Sequence, residues 1–263
     1  MRNKKPQLDI WVRGEKDRSL LRQEKRLANG AITNVTQSSL YVYPPRRSRG
    51  RAIILCPGGG FKQINFKEEG TDFVDWFNRQ GVTVAILKYQ LPEENGLFFE
   101  EDLKAAMDFM RSNSKRFRFK KLGVMGCSVG GYLAATAATK FPKNERPDFQ
   151  ILLYPVISME QDLAHLPSRT KMFGRQVTYS TSNQYSLEMH VDKDVPPTFI
   201  ALTADDKEVT PLNSLMYYTG LLNAGVSASL HIYPDGGHGF GFSNSFEYKK
   251  LWTGELRKWL NSL

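Results

Sequence analysis

Leu122-Gly123-Val124-Met125-Gly126-Cys127-Ser128-Val129-Gly130-Gly131 is the stretch that decides the fold. Its first part is short and apolar, as expected of a strand covered on both faces. Its second part fits G-x-S-x-G and runs into an Ala-rich segment, 131–139, that reads as a helix. A serine on a tight strand-to-helix turn needs small neighbours, because helix and strand approach closely and the serine backbone is strained. The N-terminus of the following helix offers oriented N–H groups and the positive end of a dipole to a developing anion. Ser128 is therefore a candidate nucleophile. Taken alone, the segment fits a glycine-bearing turn with an incidental serine equally well.

The remaining chain has the matching rhythm. Short β-rich runs occur at 40–43, 52–56, 82–88, 149–154, 198–203 and 228–233, besides the one at 122–126. Helical spacing lies between them. Phe66, Phe73, Trp76 and Phe77 form one apolar face, and Leu103, Ala106, Met107 and Met110 another. Segments 212–224 and 246–260 continue the pattern. Strand–helix alternation predicts an α/β fold with a doubly wound, mostly parallel sheet. The runs at 40–43 and 52–56, joined by Pro-Pro-Arg-Arg-Ser-Arg-Gly, read as an antiparallel pair at its start. Residues 1–37 form an N-terminal segment, and the polar stretch 158–197 reads as a small irregular cap insertion. The expectation is a single domain over 1–263.

Ser128 needs a base, and the chain has four histidines. His231 alternates within an apolar strand and reads as structural, while His165 and His190 fall in the insertion. His238 lies in Asp235-Gly-Gly-His-Gly-Phe-Gly-Phe242, after a strand and before the last helix. Glycines on both sides let an imidazole approach a nucleophile closely, so His238 is the candidate base. A carboxylate between them in sequence would orient it. Thr203-Ala-Asp-Asp-Lys-Glu-Val-Thr-Pro211 offers Asp205, Asp206 and Glu208, with Asp235 as an outsider. Finally, Cys56-Pro57-Gly58-Gly59-Gly60-Phe61 follows a strand but lacks phosphate-loop spacing. Gly59, Gly60 and Phe61 are candidate oxyanion donors instead, with Val129 N–H as their partner. Four motifs at strand C-termini, in compatible order, support one another.

Together these stretches resemble the α/β-hydrolase superfamily, and within it the acetyl-esterase branch often labelled carbohydrate (acetylxylan) esterase. The resemblance spans about 38–263. It is carried by Ile53 to Phe61, Leu87-Lys-Tyr89, Gly123 to Ala134, Pro147-Asp-Phe149, Tyr154-Pro-Val-Ile157, Asp206 with Val209, and Gly237-His-Gly-Phe-Gly241. It implies the α/β-hydrolase fold, Ser128 as nucleophile, His238 as base, and Asp206 as the acid standing three before a valine. It implies a serine esterase acting on short-chain, acetyl-type esters of small molecules or carbohydrates such as acetylated xylan, without cofactor or metal. The chain departs from the family at Val129, Tyr132, Gln90 and Cys127, which bears on substrate preference. A serine peptidase of the prolyl-oligopeptidase type, an acyltransferase and a non-catalytic scaffold are the rival readings.

Composition narrows the classes further. The chain has 263 residues, 41% hydrophobic and 24% charged, which excludes disordered, collagen-like and coiled-coil proteins. No apolar run approaches the ~20 residues of a membrane span, and the basic N-terminus leads into no apolar core. The expectation is no membrane association and a cytoplasmic location. Cys56 and Cys127 make neither a disulfide framework nor a metal pattern and read as buried fillers. The net charge of +9 concentrates in 1–26, in Arg46, Arg47, Arg49 and Arg51, and in 111–121. These blocks are too short to mark a nucleic-acid partner and read as solvated surface. The last cluster precedes the strand leading to Ser128, which places it at the opposite end of the sheet.

Overall fold

A computed structural model of the protein describes residues 8–11, 23–35, 37–92 and 97–263. The basic stretch 1–26 therefore lies largely outside the described residues. Strands run at β1 (Leu8–Trp11), β2 (Lys25–Arg26), β3 (Ile32–Thr33), β4 (Ser39–Tyr43), β5 (Gly50–Cys56), β6 (Gln63–Ile64) and β7 (Val82–Lys88). They continue at β8 (Phe119–Cys127), β9 (Phe149–Leu153), β10 (Thr198–Thr203) and β11 (Ala228–Tyr233). The helices are α1 (Asp72–Arg79), α2 (Phe98–Ser112), α3 (Ser114–Phe117), α4 (Val129–Thr139), α5 (Leu166–Phe173), α6 (Tyr179–Tyr185), α7 (Leu212–Asn223) and α8 (Lys249–Ser262).

The main sheet has the order β1-β4-β7-β5-β8-β9-β10-β11. Pairing is parallel from β7 through β11 and antiparallel at β1–β4 and β4–β7. The chain steps from β5 to β7 on one side, then returns to β8 on the other. Right-handed crossovers in opposite directions place helices on both faces. Ring contacts agree: Phe73 of α1 meets Trp252 of α8 at 6.2 Å, and Phe99 of α2 meets Tyr132 of α4 at 6.4 Å. The reversal makes β5 and β8 neighbours, and their carboxyl ends flank the crevice where such sheets bind ligands. Cys56 stands in register with Gly126, so the glycine loop and the Ser128 turn leave the sheet side by side.

Three expectations are corrected. The runs at 40–43 and 52–56 do not pair with each other, because β7 lies between them. Every residue of β7 is buried, which demands an interior place, whereas β4 is only partly buried and suits a position nearer the edge. Strands also precede residue 38. β1 pairs with β4, and β2, β3 and β6 form a small antiparallel sheet. The insertion 158–197 is not irregular, since it holds α5, α6 and a short 3-10 turn, Leu187–His190. Helix α6, Tyr-Ser-Thr-Ser-Asn-Gln-Tyr, has weak helix formers and no apolar stripe, and so hides from periodicity. Its start is fixed by Thr178, whose hydroxyl accepts from Thr181 N–H.

The last basic cluster sits where the charge reading places it, and Arg49 of the second joins it at the same end of the sheet. Arg49 N–H bonds Gly81 O at the amino ends of β5 and β7, and Lys120 and Lys121 open β8. Both lie at the opposite end of parallel strands from Ser128.

Candidate active site

Ser128 joins β8 to α4 with φ 53° and ψ −122°, a conformation that L-residues rarely adopt. The turn survives because its surroundings grip it. Ser128 N–H donates to Leu153 O at 3.0 Å, and Ser128 O accepts from Val156 N–H at 3.0 Å and Gly131 N–H at 2.9 Å. The glycines are required here. A Cβ on Gly126 would overlap Gly130 O, and one on Gly130 would overlap Cys56 O and lie 2.7 Å from Pro57 O. The neighbouring Cys127 is wholly buried, and burial pushes its thiol well above the ordinary range. It is held as a protonated filler.

His238 Nε2 lies 2.8 Å from Ser128 Oγ, and His238 Nδ1 lies 2.7 Å from Asp206 Oδ2. Asp206 Oδ1 accepts from the N–H groups of Glu208 and Val209, both at 2.9 Å. An ionised Asp206 has no proton to give, so it fixes the tautomer: Nδ1 carries the hydrogen and Nε2 is free to accept from the serine hydroxyl. Asp206 stands at the end of β10 and His238 beyond β11, and the two strands pair through Thr203 and Tyr233. The imidazole loop turns at Gly237 (φ 64°) and Gly239 (φ 76°), values that glycine takes without strain.

The two aspartates divide the work. Asp205 accepts from Gly237 N–H at 2.8 Å and Gly236 N–H at 3.3 Å, so it holds the loop, not the ring. Thr203 Oγ1 donates to Gly237 O at 2.8 Å from the same strand end. Glu208 and Asp235 do not reach the imidazole.

Behind the serine, the glycine loop has its carbonyls taken up inside the protein. Pro57 O accepts from Tyr89 OH at 2.7 Å, and Gly58 O accepts from Asn65 N–H at 2.9 Å. Gly59 O accepts from Lys62 and Gln63 N–H. Among the described residues no acceptor takes the N–H groups of Gly59, Gly60 or Phe61. Val129, first in α4, has no intrahelical acceptor for its own. Gly58 packs against the serine, since a Cβ there would lie 2.8 Å from Ser128 Cβ. The Phe61 ring turns inward and stacks on Phe99 at 5.1 Å.

Residues beyond the sequence reading also enter. His165, at the start of α5, reaches over the loop: its Cε1 is 3.9 Å from where a Cβ on Gly60 would stand. Its Nδ1 is 2.6 Å from Ser168 Oγ. Burial, then the charge of His238, hold its imidazole below its ordinary range. The buried Glu69 and Tyr154 lie beneath the site, with the Tyr154 ring edge-on to His238 at 4.9 Å. No local pattern marks these residues, because their partners are distant in sequence. The other histidines stay outside: His231 stacks on Phe199 and contacts Ser229 Oγ, and His190 is near Gln184 O. Among the described residues, no group of three or more His, Cys, Asp or Glu could hold a metal ion, and no helix is long and apolar enough to cross a membrane.

Comparison with known proteins adds a lineage to this geometry. Residues 92–262 match the profile of the prolyl oligopeptidase family. An acetylxylan esterase of Xylanibacter ruminicola is 33% identical over 233 residues, 86% of this chain and 48% of the relative. An endo-1,4-beta-xylanase B of Butyrivibrio fibrisolvens is 27% identical over 77% of this chain and 34% of its own length. The chain thus spans about half of one curated relative and about a third of the other. Among solved structures, an acetyl ester-xyloside bifunctional hydrolase from Caldicellulosiruptor lactoaceticus is 31% identical with a TM-score of 0.80, covering 87% of this chain and 89% of its own.

Proposed function

The chain belongs to the prolyl oligopeptidase family of α/β-hydrolases, and we propose that it is a serine esterase that removes short acyl groups, acetyl foremost, from carbohydrate esters such as acetylated xylan. The observation that carries this reading is the continuous Ser128–His238–Asp206 chain, at 2.8 and 2.7 Å, beside a loop with unengaged N–H groups. His238 Nε2 takes the Ser128 proton as Oγ attacks the ester carbonyl. The oxyanion is met by the N–H groups of Val129 and of the Gly59-Gly60-Phe61 turn. His238 then protonates the departing alcohol, water adds to the acyl-enzyme by the same route, and Asp206 stabilises the imidazolium in both steps.

Two things support a short acyl group. Ser128 is only 6% exposed, and the loop presents backbone to it while the Phe61 ring turns away. The carbohydrate alcohol is supported by the three relatives named above, all of which bear xylan- or xyloside-related names. A peptidase reading is favoured by the family profile itself. A substrate panel decides between them: p-nitrophenyl esters of rising chain length, acetylated xylo-oligosaccharides followed by mass, and prolyl peptides. Acetate preference with loss of acetyl mass from the sugars is expected. Peptide cleavage with poor ester turnover would replace the proposal, and acyl transfer to added alcohol in preference to water would make the chain an acyltransferase. Replacing Ser128 by Ala is expected to lower kcat by about 10⁴–10⁶.

A further inference from the structure

The buried carboxylate of Glu69 takes no part in the triad, yet three loops of the site converge on it. Glu69 Oε2 accepts from Gly58 N–H at 2.8 Å and from Asn65 Nδ2 at 3.3 Å. Asn65 N–H in turn bonds Gly58 O, so both polar groups of Gly58 are pinned by this one segment. Gly58 is also the residue against which Ser128 packs. On its other side, Glu69 Oε1 lies 2.8 Å from Tyr154 OH, and Tyr154 OH lies 3.0 Å from Gly241 N. A backbone N–H can only donate, so the tyrosine oxygen accepts from Gly241 N–H, and its hydroxyl donates to Glu69 Oε1, with the Cys127 thiol as a further hydrogen-bonding neighbour. Gly58 N–H, Asn65 Nδ2 and Tyr154 OH all point donors at the carboxyl, which favours its ionised form against the burial that disfavours it.

We infer that Glu69 is a second, positioning carboxylate: through Gly58 it sets the oxyanion loop, through Tyr154 and Gly241 it sets the His238 loop, and its charge favours the imidazolium formed during acyl transfer. The inference rests on the triad reading above. Burial dominates and holds the Glu69 carboxyl above its ordinary range, opposed only in part by the bonds from Tyr154 and Gly58, the field of His238 and the bond from Asn65. Tyr89, Tyr154 and Cys127 also feel this carboxylate, and burial drives all three above their ordinary ranges, so they stay uncharged. Of these groups His238 is the one that can become a cation. The imidazole itself faces Asp206, the Tyr154 ring, and His165 from the insertion.

Glu69→Gln keeps the shape, but its amide must turn an N–H₂ toward either Gly58 N–H or Tyr154 OH. Tyr154→Phe keeps the carboxyl and the ring, and removes the hydroxyl that joins Glu69 to Gly241 of the His238 loop, with its contact to Cys127. Both are measured with p-nitrophenyl acetate across pH, with Ser128→Ala as the reference and thermal melts as the check on folding. Both variants are expected to lower kcat about 10- to 100-fold, less than loss of an oxyanion donor, with KM within about threefold. In Glu69→Gln the acid limb of kcat/KM should also move to lower pH, because an anion that favoured the imidazolium is gone. A folded Glu69→Gln with wild-type kcat or an unmoved acid limb overturns the inference, as does wild-type kcat in Tyr154→Phe. Should Glu69→Gln fail to fold, Tyr154→Phe decides alone. If Ser128→Ala keeps its activity, it is the triad reading that falls, and the two failures are thereby told apart.

Discussion

Asp206 holds the imidazole of His238, and its chain neighbour Asp205 holds the loop that carries that imidazole. Two adjacent carboxylates thus orient one side chain at two levels. Replacing Asp206 by Asn leaves the geometry but removes the acceptor that fixes the tautomer, and kcat should fall about 10⁴-fold. Replacing Asp205 by Asn weakens two N–H bonds to the loop and should cost about 10- to 100-fold through misplacement of the ring. Steady-state kinetics on both variants check this. Equal losses, or the larger loss at Asp205, would reverse the assignment.

Asp205 also predicts a pH dependence. The Gly237 N–H foremost, with Thr203 Oγ1 and the N–H groups of Gly236 and of Asp205 itself, holds its carboxyl below the usual carboxylate range against the opposing effect of desolvation. A lowered folded value means that the unfolded chain takes up the proton first. The stabilisation is therefore present above the ordinary carboxylate value, ~3.9, and disappears as pH falls through the lower folded one. Asp205→Asn lacks it at every pH. The Tm gap between wild type and Asp205→Asn should narrow between about pH 6 and pH 3. A gap that stays constant across that range would remove Asp205 from the account of acid sensitivity.

Gly130→Ala tests how closely the helix must approach the sheet. The added Cβ meets two backbone carbonyls, of Cys56 and Pro57, and neither can swing aside as a side chain would. Helix α4 must shift, carrying Ser128 and Val129 with it. The expected destabilisation is about 3 kcal/mol, which for a chain of this size is roughly 6–12 °C in Tm. Activity per folded molecule should fall as well. A variant that melts like wild type would show that the approach at Gly130 is looser than it looks.

What the sequence disclosed and what it hid differ for a physical reason. The interior parallel strands were legible because strands buried on both faces are largely apolar, and β7 and β10 fall where their runs predict. Ser128, His238 and the glycine loop were legible because tight turns leave a local record in glycine. The antiparallel start was misread because pairing depends on which strand enters between β4 and β5, and no local pattern encodes that. Asp205 could not be separated from Asp206 from the residues alone, since adjacent side chains diverge only in three dimensions. Glu69 and Tyr154 are 85 residues apart, and no local spacing joins them.

His165 brings the insertion into the chemistry. It is half-buried at the start of α5, above Gly60, with Nδ1 tied to Ser168 and no partner at Nε2 among the described residues. It touches none of Ser128, His238 or Asp206, but it stands beside Gly60 of the proposed oxyanion loop. Its Nε2 suits a sugar hydroxyl, which can donate to or accept from a neutral imidazole. Replacing His165 by Ala should raise KM for acetylated xylo-oligosaccharides by about 3- to 10-fold, the loss of one hydrogen bond. The value of kcat on p-nitrophenyl acetate, which offers no such hydroxyl, should stay within about twofold. If instead both substrates lose kcat in parallel, His165 acts on the triad, and the alcohol is recognised elsewhere.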